Sequence, residues 1–173
     1  MQTMSLNYKL LSISACAFAL MLPNLSQAQA TNNLGRASVN VVSLIAVSLV
    51  TNTSWGTVTL PGSGTTNFML NPSTSAVTVL SGTGHSFGDG IAGSYLVTGG
   101  SLLPISYSVS IGSFSGTGVS VVSAYINGTS SSGSGNLSVL GTMTLNVGGV
   151  IAVTSTASLG VQTATITVTT DYV

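Results

Sequence analysis

The sequence predicts an all-β fold: an antiparallel β-sandwich of immunoglobulin-like size, with a small β-barrel as the alternative. Three observations carry this reading. After the first thirty residues apolar side chains recur with period two and no helical period is found; clusters of Gly, Pro, Ser and Asn punctuate the runs at short intervals; and 44% of the residues are hydrophobic, enough for a packed core. About 140 residues follow that opening, which suits one domain.

Residues 1–30 read as a secretory signal peptide. Lys9 is the positive n-region, residues 10–22 are the apolar h-region, Pro23 breaks it, and Ala28-Gln29-Ala30 is a small-x-small cleavage site. A lipoprotein signal ending at Cys16 would leave too short an apolar segment ahead of the cysteine. The expectation is therefore secretion through the inner membrane to the cell surface or beyond, with the periplasm in transit and no integral membrane segment retained. Residues 31–36 are expected to be a flexible mature N-terminus ahead of a single domain over 37–173.

The elements follow in order. Residues 37–50 predict a long strand with Val39, Val41, Ile45, Val47 and Leu49 on one nearly apolar face, and 55–60 a second strand that opens with Trp55. Residues 65–70 form a third, with Phe68 and Leu70 inward, ended by the turn Asn71-Pro72-Ser73-Thr74. Strands at 75–80 and 94–98 flank a glycine-rich loop. Residues 105–111 place Ile105, Tyr107, Val109 and Ile111 on one side, and 118–127 continue after a turn. Residues 128–135, all Gly, Ser and Thr, predict a flexible surface loop, and 137–153 a strand broken into a hairpin or bulge at Gly148-Gly149.

The last stretch is the most regular. Ala164, Ile166, Val168, Thr170 and Tyr172 share one face of an extended strand, and Thr163, Thr165, Thr167, Thr169 and Asp171 share the other. With no Pro or Gly after Gly160, nothing interrupts a ladder.

Charge decides which functions remain. Only 2% of the residues are charged, and loss of the signal leaves Arg36, Asp89 and Asp171 and no cysteine. Nucleic-acid binding needs a basic patch, so it is excluded. Thiol chemistry and disulfides are excluded too. A sheet edge without lysine is poorly defended against pairing between molecules, a liability in a monomer and an asset in a fibre subunit.

Catalytic and metal-binding patterns are equally thin. Two aspartates and no glutamate make a poor glycosidase pair, and one His85 with either aspartate cannot close a zinc or calcium shell. The loop around His85 lacks the spacing, the following helix and the lysine of a phosphate cradle. No enzyme, no cofactor and no metal is the expectation.

Several short motifs occur in order: Trp55-Gly56-Thr57-Val58, Leu70-Asn71-Pro72, Ser94-Tyr95-Leu96-Val97-Thr98-Gly99, Tyr107-Ser108-Val109, Leu145-Asn146-Val147-Gly148-Gly149, and the closing run from Gly160 to Tyr172. Their succession resembles a bacterial secreted family catalogued as domain of unknown function number 4402, across nearly all of the chain after the signal. Trp55 departs from that pattern, in which an Asp-Phe pair would precede the glycine. The resemblance implies an exported bacterial β-domain and carries no activity.

The closing strand is also similar to those of chaperone–usher pilus subunits, which end in alternating apolar residues with a penultimate aromatic and a glycine fourteen places from the end. Tyr172 and Gly160 occupy those positions, with Ile166 and Val168 between them. This resemblance implies assembly by strand pairing into a homo-polymer, with a periplasmic chaperone and an outer-membrane usher as partners. The donor strand would be Val39, Val41, Ile45, Val47 and Leu49, filling a neighbour's groove. The expected function is a structural subunit of a surface fibre or pilus; the alternative is a monomeric adhesive or carbohydrate-binding module that stacks a glycan on Trp55 or on exposed tyrosines.

Overall fold

The computed structural model describes residues 38–173, and residues 40–173 form one compact unit. The signal peptide and the flexible N-terminus expected over 31–36 lie outside the described residues. Within them the fold is all β and antiparallel, in two sheets that do not close into a barrel, as a sandwich requires.

The strands are β1 (Ala46–Thr51), β2 (Thr65–Leu70), β3 (Val77–Ser81), β4 (Gly93–Thr98), β5 (Pro104–Ile111), β6 (Val119–Ile126), β7 (Ser132–Asn136), β8 (Thr142–Thr154) and β9 (Ile166–Tyr172). The larger sheet runs β1-β4-β8-β2-β3, with β6 also on β8; the smaller runs β7-β5-β9. β5 and β9 set the long axis, because Ile105 lies opposite Tyr172 and Ile111 opposite Ile166. The domain thus has two ends, the Tyr172 pole and the Ile166 pole.

β8 organises the larger sheet. Its first half pairs with β4 and its second with β2 and β6, and the handover falls on Gly148-Gly149. The strand is not broken there, contrary to the expected hairpin or bulge. A Cβ on Gly148 would run into the Leu70 carbonyl and one on Gly149 into the Ser123 carbonyl. The glycines serve close approach of neighbouring strands to an unbroken one.

The core divides in two along the axis. Val97, Ile105, Val109, Ile126, Leu137, Leu145 and Val147 fill the Tyr172 half, with Ile45, Val168 and Tyr172 packed on them. Trp55, Phe68, Leu70, Val77, Ile151, Val153 and Ala157 form the Ile166 half. Phe68 and Leu70 point inward as predicted, and β5 buries Ile105 and Val109. Thr66, on the same face of β2 as Phe68, is fully buried and its hydroxyl accepts a hydrogen bond from the Gly84 N–H at 2.8 Å.

Three expected elements are corrected. The strand expected over 37–50 is confined to Ala46–Thr51, and residues 38–45 join no ladder. The strand expected at 55–60 is instead an irregular segment with isolated bridges from Ser54 to Ile91 and from Val58 to Ser86. Its left-handed Gly56, at φ 65°, breaks the extended path. Part of the expected loop 128–135 is the ladder strand β7, paired with β5. Low side-chain bulk is what that strand needs, since a Cβ on Gly133 would lie 2.7 Å from the Tyr107 ring.

Candidate functional site

The two halves of the core are not covered alike. Over the Tyr172 half, the inward residues of β9 and Ile45 close the space between the sheets. Over the Ile166 half no regular strand among the described residues does so, and the space opens as a groove of about 920 Å³. One wall is the irregular segment 52–60, the other is residues 157–166 leading into β9, and the floor includes Phe114, Ile151 and Val153. β9 is an edge strand of its sheet, so the groove lies where a ladder could be extended.

Trp55 anchors the first wall. It is 8% exposed, its Nε1–H donates to the Gly149 carbonyl at 3.3 Å, and its ring meets Phe114 edge-on with centroids 6.1 Å apart. A buried indole held at its edge and its nitrogen offers no open face to a sugar, so the stacking platform of the alternative reading is not at Trp55. Asp89 fixes the same wall two residues on. Its carboxylate accepts the Thr57 N–H at 2.8 Å and the Thr57 hydroxyl at 3.2 Å. The backbone hydrogen bond from Thr57 is the main cause that holds its pKa below the ordinary aspartate value.

Two polar atoms in the groove walls, Thr53 Oγ1 and Gln162 Oε1, are buried and have no hydrogen-bond partner among the described residues. Buried acceptors of this kind are uncommon in finished cores. On the outer rim Leu159 and Val161 are 84% and 92% exposed. Gly160 stands between them at φ 101° with open space around it.

The residues singled out on the closing strand fall as their alternation predicts. Ile166, Val168 and Tyr172 face the core, Ile166 at the groove and Tyr172 at the far pole. The Tyr172 hydroxyl accepts the Gly100 N–H at 2.6 Å and donates to the Ser43 carbonyl at 2.8 Å. Of the residues expected to form a donor strand, Val47 and Leu49 lie in β1 and pair within the chain, opposite Val97 and Tyr95 of β4. Ile45 packs against the chain's own core. Val39 and Val41 are exposed and outside any ladder, as is Leu44.

All six residues of β1 are exposed, and it holds to β4 by its backbone ladder and by the Ser48 hydroxyl, which donates to the Leu96 carbonyl at 3.3 Å. The groove floor was not legible as a site in sequence. Phe114, Ile151 and Val153 look like ordinary core residues, and the groove over them arises from the paths of the segments 52–60 and 157–166, which their alternation does not show. Asp89 and Asp171 line separate depressions, the second shared with Ser106, Ser108 and Thr169 on the outer face of the smaller sheet. Comparison with known protein families, with curated proteins and with solved structures finds no match to this chain.

Proposed function

We propose that this protein is a structural subunit of a bacterial surface fibre or pilus-like polymer, whose copies join by β-strand pairing between subunits. The observation that carries the reading is the groove, which lies over the Ile166 half of the core beside the edge strand β9, in a chain that also exposes an unpaired apolar segment. An extended segment from a second copy fits on both counts. Its alternate side chains cover the groove floor, and its backbone extends the ladder at the β9 edge.

The donor is narrower than the 37–50 strand. Val39 and Val41 are its groove-filling side chains, because Val47 and Leu49 are held in β1. Before assembly the same groove and edge are what a periplasmic chaperone would cover, which agrees with export by a signal peptide.

Trp55 is the only tryptophan in the chain and lies in the groove, so it reports occupancy directly. A peptide of residues 38–45 should shift its emission saturably, and deletion of 38–44 should abolish denaturant-resistant polymers. Polymers that form unchanged without 38–44 would overturn donation by this segment.

A further inference from the structure

The Tyr172 pole carries an apolar tip made of two loops. Residues 99–103 and 137–141 are stitched together: the Gly99 N–H donates to the Gly141 carbonyl at 2.8 Å, Leu102 to Ser138 at 3.1 Å, and Leu137 to Leu103 at 3.0 Å. Leu102 is held at φ 59°, a left-handed conformation that a leucine disfavours. Nothing is gained by burial in exchange, since its side chain is 61% exposed, and Val139 and Leu140 beside it stand out further. The loop bonds hold large apolar groups outward on a rigid frame.

The opposite pole carries a matching feature, Leu159 and Val161 on the rim of the groove. Neither patch includes a charged side chain. The eight residues of β5 separate the poles by roughly 26 Å, so the patches cannot meet within one molecule.

Chain direction links them. β1 starts opposite Thr98, and upstream of it Ser43 is bound to Tyr172, so the unpaired segment lies at the same pole as the tip. From Ser43 back to Val39 an extended chain reaches only about 13 Å. If Val39 and Val41 enter a neighbour's groove, the tip must come against that groove's mouth, where Leu159 and Val161 stand.

We propose that the Leu102–Val139–Leu140 tip of one copy seats on the Leu159–Val161 rim of the next, a head-to-tail contact that repeats without closing. This rests on the polymer reading above and adds a second contact to it.

The test uses the full chain in two double variants. The tip variant is Leu102→Asp with Leu140→Asp; aspartate tolerates the left-handed backbone at 102 better than leucine does. The rim variant is Leu159→Asp with Val161→Asp, both at exposed positions. Circular dichroism matching wild type establishes that each folds.

By sedimentation velocity each variant alone should remain monomeric where wild type forms polymers. Their equimolar mixture should give dimers and nothing larger, because one intact tip then meets one intact rim. Polymer formation by either variant overturns the tip-to-rim contact and leaves strand donation standing; a mixture that stays monomeric overturns the tip-to-rim contact. A wild-type chain that is monomeric at every concentration overturns both. If the tip variant polymerises normally but loses binding to neutral phosphatidylcholine vesicles, the tip is a lipid contact and the proposal is wrong.

Discussion

Tyr172 and Ser43, 129 positions apart in sequence, are joined by a hydrogen bond of 2.8 Å from the tyrosine hydroxyl to the serine carbonyl oxygen. Because the same hydroxyl accepts the Gly100 N–H, one atom ties the closing strand, the β4–β5 loop and the segment ahead of β1. Tyr172→Phe keeps the ring and removes only these bonds. The expected cost is about 1 kcal/mol of unfolding free energy. Amide exchange should also quicken at Gly100 and at residues 43–45, and unchanged protection there would show that the hydroxyl does not hold the segment.

Acid should loosen the Trp55 wall of the groove. Hydrogen bonds from Thr57 favour the charged form of Asp89 and hold its folded pKa below the ordinary value. The stabilisation is therefore fully present above that ordinary value and is lost as pH falls through the lower folded one. Trp55 emission should be steady from neutral pH to about pH 4 and change below it. Asp89→Asn keeps an acceptor for the Thr57 N–H and removes the titration, so its profile should be flat through that range. An Asn variant that retains the transition would assign it to a group other than Asp89.

How much of this was legible in the sequence depended on whether a residue's neighbours in the chain or its neighbours in space decide its state. β9 was readable because one face packs on the core and the other meets water, so its alternation survives as Ile166, Val168 and Tyr172 inward and Thr167, Thr169 and Asp171 outward. β2 was readable for the same reason. The strand expected over 37–50 has an equally good pattern yet finds a partner only from Ala46, because β4 ends at Thr98 and offers no edge to the residues upstream. β7 failed the other way: Ser-Gly-Ser-Gly-Asn looks like a linker, and only the Tyr107 ring above Gly133 gives the small residues a purpose. The groove was invisible for a third reason. A core beside a groove has the same composition as one without.

Gly148 tests whether the β8 handover is a packing constraint. Alanine there places a methyl group against the Leu70 carbonyl and 3.1 Å from Pro72 Cδ, and backbone on that side cannot give way as a flexible side chain would. Gly148→Ala should destabilise by about 1–3 kcal/mol, the usual cost of overpacking. Gly128→Ala, at a position with open space, should lie within about 0.5 kcal/mol of wild type. Denaturant midpoints measure both, and equal values for the two would show that β8 has room at the handover.

Trp55 separates packing from hydrogen bonding at the groove wall. Its ring sits among Phe68, Leu70 and Ile151, and its nitrogen reaches the Gly149 carbonyl. Trp55→Phe retains an aromatic ring against Phe114 and loses the N–H, for an expected cost of about 1–2 kcal/mol. Trp55→Ala also opens a cavity, for about 3–5 kcal/mol. If packing dominates, the alanine variant should lower the unfolding midpoint at least twice as far as the phenylalanine one. Equal losses would mean that the single bond to Gly149 fixes the wall, and the groove would then owe its shape to one backbone contact on β8 rather than to the aromatic pair.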